Sequence, residues 1–173
     1  MNYIFSAIFL YFFLGFLLYI FQRRIVFNKS GHPGAPKDYN LDNTEEVYIK
    51  TEDNLKLLSW YHKGNNSLPL IVYFHGNSFH IGDRAYRIQR YIEKNWSVLL
   101  VSWRGFGGNE GNPTEKNLYK DAEAVLKWIK NNTEFKFKEL VIYGESLGSG
   151  PAVEIGTKYK FLSIVLEAPF TSI

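Results

Sequence analysis

The sequence predicts an α/β protein: a mainly parallel sheet with helices on both faces, preceded by one apolar helix. Three observations carry this. Short apolar runs ending in glycine or turn residues alternate with amphipathic stretches after residue 44, the pattern of βαβ units. An uncharged run, Tyr3 to Phe21, opens the chain. Near the other end, Gly144-Glu145-Ser146-Leu147-Gly148 stands where a strand pattern passes into a helix pattern.

The opening run, "YIFSAIFLYFFLGFLLYIF", is 19 residues long. As a helix it measures roughly 28 Å, close to the ~30 Å of a bilayer's hydrocarbon core. Tyr19 and Phe21 fall at interfacial depth, and Gln22-Arg23-Arg24 ends the run. A cleaved signal peptide would begin basic, carry a shorter apolar run and end at small residues. A buried core helix would keep one polar face. The run is therefore expected to be a single-pass membrane anchor over residues 1–22. Arg23, Arg24 and Lys29 all follow it, so the positive-inside rule places the following domain on the cytoplasmic side.

"GHPGAPKDYN" gives residues 23–43 the composition of a linker, and residues 44–173 form the α/β domain. Val47–Lys50 and Leu55–His62 read as strands around the turn residues Glu52-Asp53-Asn54, an antiparallel hairpin. "LPLIVYFHG" and "WSVLLVSWRG" are continuous apolar runs, expected as central strands buried on both faces. Between them Ile81, Ala85, Ile88 and Ile92 recur at helical spacing. Asn112 as N-cap, Pro113 at the first helical position and Glu115 start the next helix. Its apolar stripe is Leu118, Ala122, Val125, Leu126 and Ile129. Leu140–Tyr143 is a short strand, Gly148–Lys158 a helix, and "FLSIVLEAP" a final strand.

Composition excludes several classes. The formal charge is only +3 and the basic residues are scattered, so no nucleic-acid groove is expected. The chain has no cysteine, and its four histidines show no metal-ligand spacing. No metal or cofactor is expected. G-x-S-x-G in a strand–turn–helix context does carry chemistry, because it raises a serine hydroxyl above the sheet as a nucleophile. Such a serine needs two backbone donors for the oxyanion. The N–H of Leu147 is one, at a helix N-terminus. The loop after the first central strand, His75-Gly76-Asn77-Ser78, supplies the other, with Asn77 first and Ser78 second. His75 is expected to pack and hold that loop.

These motifs, "HGN", "VSWRGFGGNEGNPTEKNLYKDA", "YGESLGSG" and "EAPFTSI", resemble the membrane-anchored branch of the α/β-hydrolase superfamily, often labelled lysophospholipase-like or peptidase-like. The resemblance runs from about Phe21 to the C-terminus. It implies an α/β-hydrolase-type sheet, Ser146 as nucleophile, Asn77 and Leu147 as oxyanion donors, and structural roles for Arg104 and Asp121. Phe79-His80 departs from the family's usual Gly-Asn and would reshape the acyl pocket.

In this fold the catalytic acid and histidine follow the serine in the chain. Here all four histidines precede Ser146, and His80 lies on the oxyanion-side loop. The sequence is therefore expected to lack the last strands and the triad's acid and base. The functional expectation is a serine hydrolase of esters, thioesters or amides, weak or inactive as it stands. The alternatives are an inactive remnant, a membrane-anchored binding module, or half of a split enzyme. Expected partners are the membrane through the N-terminal helix, a small acyl or peptide substrate, and a complementary C-terminal fragment.

Overall fold

A computed structural model of the chain describes residues 2–27, 31–77 and 79–171. Its architecture is a six-stranded sheet with helices on both faces, approached through one long helix.

Helix α1 (Asn2–Val26) carries the uncharged run. Its Tyr3–Gln22 stretch is long and apolar enough to cross a membrane, and none of it is buried. A core helix of this composition would instead be covered. It is a candidate membrane span. The chain then turns onto the domain at Phe27, which is buried. The stretch 31–43 is pinned there. Pro33, Pro36 and Leu41 are buried, the Tyr39 hydroxyl donates to the Pro33 carbonyl at 2.7 Å, and Asn40 takes a left-handed φ of 57°.

Strands β1 (Thr44–Lys50) and β2 (Lys56–His62) form the expected antiparallel hairpin. The apolar runs give β3 (Leu70–Phe74) and β4 (Ser97–Val101), each buried at every position. Helix α2 (Ala85–Ile92) connects them after one 3-10 turn, Ile81–Arg84. Helix α3 (Glu115–Asn132), β5 (Leu140–Glu145), α4 (Ser149–Lys158) and β6 (Ser163–Glu167) follow. The sheet order is β1-β2-β4-β3-β5-β6, with β4, β3, β5 and β6 mutually parallel. Alternation along the strands divides the core. Leu70, Val72, Phe74, Leu140 and Ile142 face α3 and α4, while Ile71, Tyr73, Val98 and Leu100 face α2.

The start of α3 corrects the sequence reading. Thr114, not Asn112, is the N-cap: its backbone is extended and its Oγ1 accepts from Asn117 N at 3.2 Å. Pro113 therefore lies outside the helix, and Asn112 helps through its carbonyl, which accepts from Asn117 Nδ2 at 3.1 Å. Strand β6 lies at the sheet's edge, with Ile164, Val165 and Leu166 each more than a third exposed. Helix α4 covers part of it, close enough that a side chain at Gly156 would overlap Ile164.

Candidate active site

The parallel strands β3, β4 and β5 all end on one side, and the loops that follow them converge there. The loop after β5 is a single sharp turn. Ser146 has φ 46°, the left-handed region that a side-chain-bearing residue enters only under constraint. Two glycines supply the constraint. A Cβ on Gly144 would come within 2.8 Å of Gly148 O and Ser149 Cα, and one on Gly148 would overlap the Phe74 carbonyl. Only glycine lets α4 fold this tightly against β5 and β3. The Ser149 hydroxyl closes the turn by donating to Ser146 O at 2.6 Å. Leu147 occupies the 3-10 turn Ser146–Gly148 that leads into α4, where backbone N–H groups have no intrahelical acceptor.

The loop after β3 lies directly against this turn: a Cβ on Gly76 would stand 3.4 Å from Ser146 Cβ. Asn77 is the next residue, so the stretch expected to hold the second oxyanion donor borders the serine. Ser78 lies outside the described residues. His75 is fully buried, its ring packed edge-on to Phe106 at 5.5 Å and beside Trp103 at 6.2 Å. Its Nδ1 is 2.7 Å from Gly76 O. A carbonyl only accepts, so Nδ1 carries the proton, and Nε2 is left buried without a partner. Trp103 Nε1 donates to His75 O at 2.9 Å. His75 thus ties the β3 and β4 loops together. His80 places its Nδ1 3.4 Å from Asp83 Oδ2 and its ring beside Gly31. Among the described residues no histidine hydrogen-bonds the Ser146 hydroxyl.

Sequence reasoning missed the brace behind the serine. Glu145 is the variable residue of G-x-S-x-G, and nothing in the motif prescribes it. Its carboxylate receives Arg84 Nη2 at 2.8 Å, Arg84 Nε at 3.2 Å and the Tyr73 hydroxyl at 2.9 Å. Burial would raise its pKa, but Arg84 and Tyr73 outweigh burial and hold it below the usual carboxylate range. Tyr73 stacks on Tyr143 at 4.7 Å. The Tyr143 hydroxyl donates to Glu167 at 2.7 Å, and Arg87 pairs with the same carboxylate at 2.6 Å. Burial and Glu167 push the Tyr143 phenol up to about 12. Residues from β3, α2, β5 and β6 are thereby fastened beneath the turn.

Arg104 and Asp121 form a buried pair at 2.6 Å, extended by Asp53 at 2.7 Å. The Arg104 bonds hold Asp53 well below the usual carboxylate range. This pair anchors the glycine-rich loop to α3 and does not reach Ser146. A groove of about 990 Å³ runs between β1 and α3 and is lined by residues such as Tyr48, Lys127 and Trp128. It includes none of the residues around Ser146. Among the described residues, no group of three or more histidine, aspartate or glutamate side chains could hold a metal ion.

A mixed, mainly parallel sheet with a strained serine between strand and helix defines the α/β-hydrolase class. The esterase Pf2001 of Pyrococcus furiosus shares this fold, with a TM-score of 0.69 at 24% identity over 83% of this chain and 57% of its own. A family profile described as serine aminopeptidase, S33, matches residues 66–173. The uncharacterized membrane protein YNL320W of Saccharomyces cerevisiae is 31% identical over 90% of this chain and 57% of its own length. Protein bem46 of Schizosaccharomyces pombe is 30% identical over 92% of this chain and 57% of its own. The chain belongs to the serine aminopeptidase S33 family, which bears out the α/β-hydrolase resemblance of its motifs. It spans somewhat over half the length of these curated relatives.

Proposed function

We propose that this chain carries the nucleophile and oxyanion hole of a membrane-anchored serine hydrolase acting on an ester, thioester or amide. The observation that carries this reading is Ser146 at φ 46°, with the Gly76-Asn77 loop against its side chain. In the reaction Ser146 Oγ attacks the carbonyl carbon and gives up its proton to a base. The N–H groups of Leu147 and Asn77 hold the oxyanion of the tetrahedral intermediate. Collapse expels the protonated leaving group, and water then releases the acyl group from Ser146. Helix α1 is the anchor, and the basic residues Arg23 and Arg24 after it favour the cytoplasmic side for the domain.

Turnover by this chain should be weak, because no described histidine reaches the Ser146 hydroxyl. Loss of the base in a serine protease costs on the order of 10⁶ in turnover, leaving about 10³–10⁴ over water. The open edge of β6 favours a second reading, in which a complementary strand-bearing fragment completes the site. Fluorophosphonate labelling of the full chain in detergent, beside Ser146→Ala, tests the first. Labelling lost in the variant means that Ser146 is an activated nucleophile. A folded chain that labels no faster than Ser146→Ala would remove the reading of this chain as a hydrolase by itself and leave the second.

A further inference from the structure

The membrane stem and the catalytic turn lie at the same end of the domain. The apolar stretch of α1 stops at Gln22, and the helix continues only to Val26. That extension is about 6 Å at 1.5 Å per residue, comparable to the thickness of one headgroup layer. Phe27 is then already buried against Phe106 of the β4 loop, with ring centroids 6.4 Å apart. Phe106 in turn packs on His75, and Gly76 borders Ser146. The stretch that follows the stem stays on the same loops. His32 lies 3.2 Å from where a Cβ on Gly108 would stand, and Pro33 3.5 Å from the same position on Gly107. The opposite end of the sheet, where β3, β4 and β5 begin, is one strand length further off, about 16 Å for five residues.

The rim of that end exposes aromatic surface. Phe79, beside the oxyanion loop, holds φ 61° and is 49% exposed. A bulky residue in the left-handed region is an outlier, and here the backbone turns the ring outward. Tyr86, in the first turn of α2, is 60% exposed and lies under the Arg87 guanidinium at 5.7 Å. An aromatic beside a cation is the side-chain chemistry that settles at a membrane–water interface.

We propose that the domain docks with its catalytic end on the bilayer that holds α1, with Phe79 and Tyr86 as the contact lip. This rests on α1 being a membrane anchor, and it adds a direction to the proposed hydrolase. Ser146 faces the lipid surface, so the acyl group it attacks comes from a bilayer-resident ester or thioester.

The natural absence of cysteine makes the test direct. The full chain is reconstituted into phosphatidylcholine vesicles with an environment-sensitive fluorophore on single cysteines from Phe12→Cys, Phe79→Cys, Tyr86→Cys or Lys94→Cys. Lys94 is exposed at the far end, just before β4. Lipids with doxyl groups near the acyl carbonyl serve as quenchers for positions 79, 86 and 94, and lipids with doxyl groups near the chain terminus for position 12, which lies mid-span. Quenching several-fold stronger at positions 79 and 86 than at 94 is expected. Strong quenching at 12, with 79 and 86 no more quenched than 94, would overturn the docking and leave the anchor standing. No quenching at 12 would remove the anchor and the docking together. If Phe79→Cys fails to fold, Tyr86→Cys carries the test. None of these readings depends on whether Ser146 turns over.

Discussion

His75 makes this protein's stability depend on pH over a window that can be worked out from its surroundings. Its ring has no exposure, donates from Nδ1 to Gly76 O, and leaves Nε2 without an acceptor. A second proton would have to sit on Nε2 in the dark between Trp103 and Phe106. Burial therefore pushes the imidazole down to about 4, with the Arg84 charge acting in the same direction and the Gly76 carbonyl against it. Unfolded, the same ring titrates near 6.5. Between these values the unfolded chain binds a proton that the folded chain refuses. The contribution is whole above about 6.5 and is lost as pH falls towards the folded value. At about 1.4 kcal/mol per unit, the loss by pH 4 is about 3 kcal/mol. The assay is chemical denaturation of the full chain in detergent across that range, beside His75→Asn, whose amide keeps a donor for Gly76 O but cannot titrate there. Asp53 and Glu145, both depressed, contribute equally to each profile and drop out of the difference. Parallel profiles for the two proteins would refute the reasoning.

Five further substitutions separate tight sites from tolerant ones. Gly148→Ala should cost at least about 3 kcal/mol, since the new methyl overlaps the Phe74 backbone. Gly150→Ala, two residues on, meets only the Phe170 ring at 3.3 Å and should be neutral or stabilising by helix propensity. Equal denaturation midpoints for these two would contradict the packing. Asp121→Asn removes the buried carboxylate of Arg104, leaving only the half-exposed Asp53 to balance it, and should cost about 3–5 kcal/mol. Asp53→Asn acts on a half-exposed partner and should cost no more than about 1 kcal/mol. Thr114→Ala should lose about 1 kcal/mol of helix capping, readable as a lower melting temperature.

The central strands were legible because a strand covered on both faces must be apolar at every position, and "LIVYF" and "SVLLV" are nearly that. The serine turn was legible because its two glycines are sterically obligatory. The start of α3 was not. Asn112 and Thr114 are both good N-caps, and only the extended backbone at Thr114 decides which hydroxyl or amide reaches the N–H of Asn117. The stretch 31–43 has a linker's composition, yet a few apolar residues in it suffice to pin it to the loops. The Glu145 brace lay beyond sequence reasoning altogether. Its partners Arg84 and Tyr73 are 61 and 72 residues away, and only the pairing of β3 with β5 brings them to the same point.

That brace bears on why the serine turn persists. A non-glycine residue held in the left-handed region costs about 1–3 kcal/mol and relaxes unless its neighbours forbid it. Ser146 is held from both directions along the chain. After it, Gly148 is wedged on the Phe74 carbonyl and Ser149 caps the turn. Before it, Glu145 is clamped by Arg84 and Tyr73, so β5 cannot rotate to relieve the strain. Replacing Glu145 by alanine would free that side and leave Arg84 without its carboxylate. The turn's geometry is thus supported by residues that take no part in bond making. It is retained independently of whichever group serves as the base.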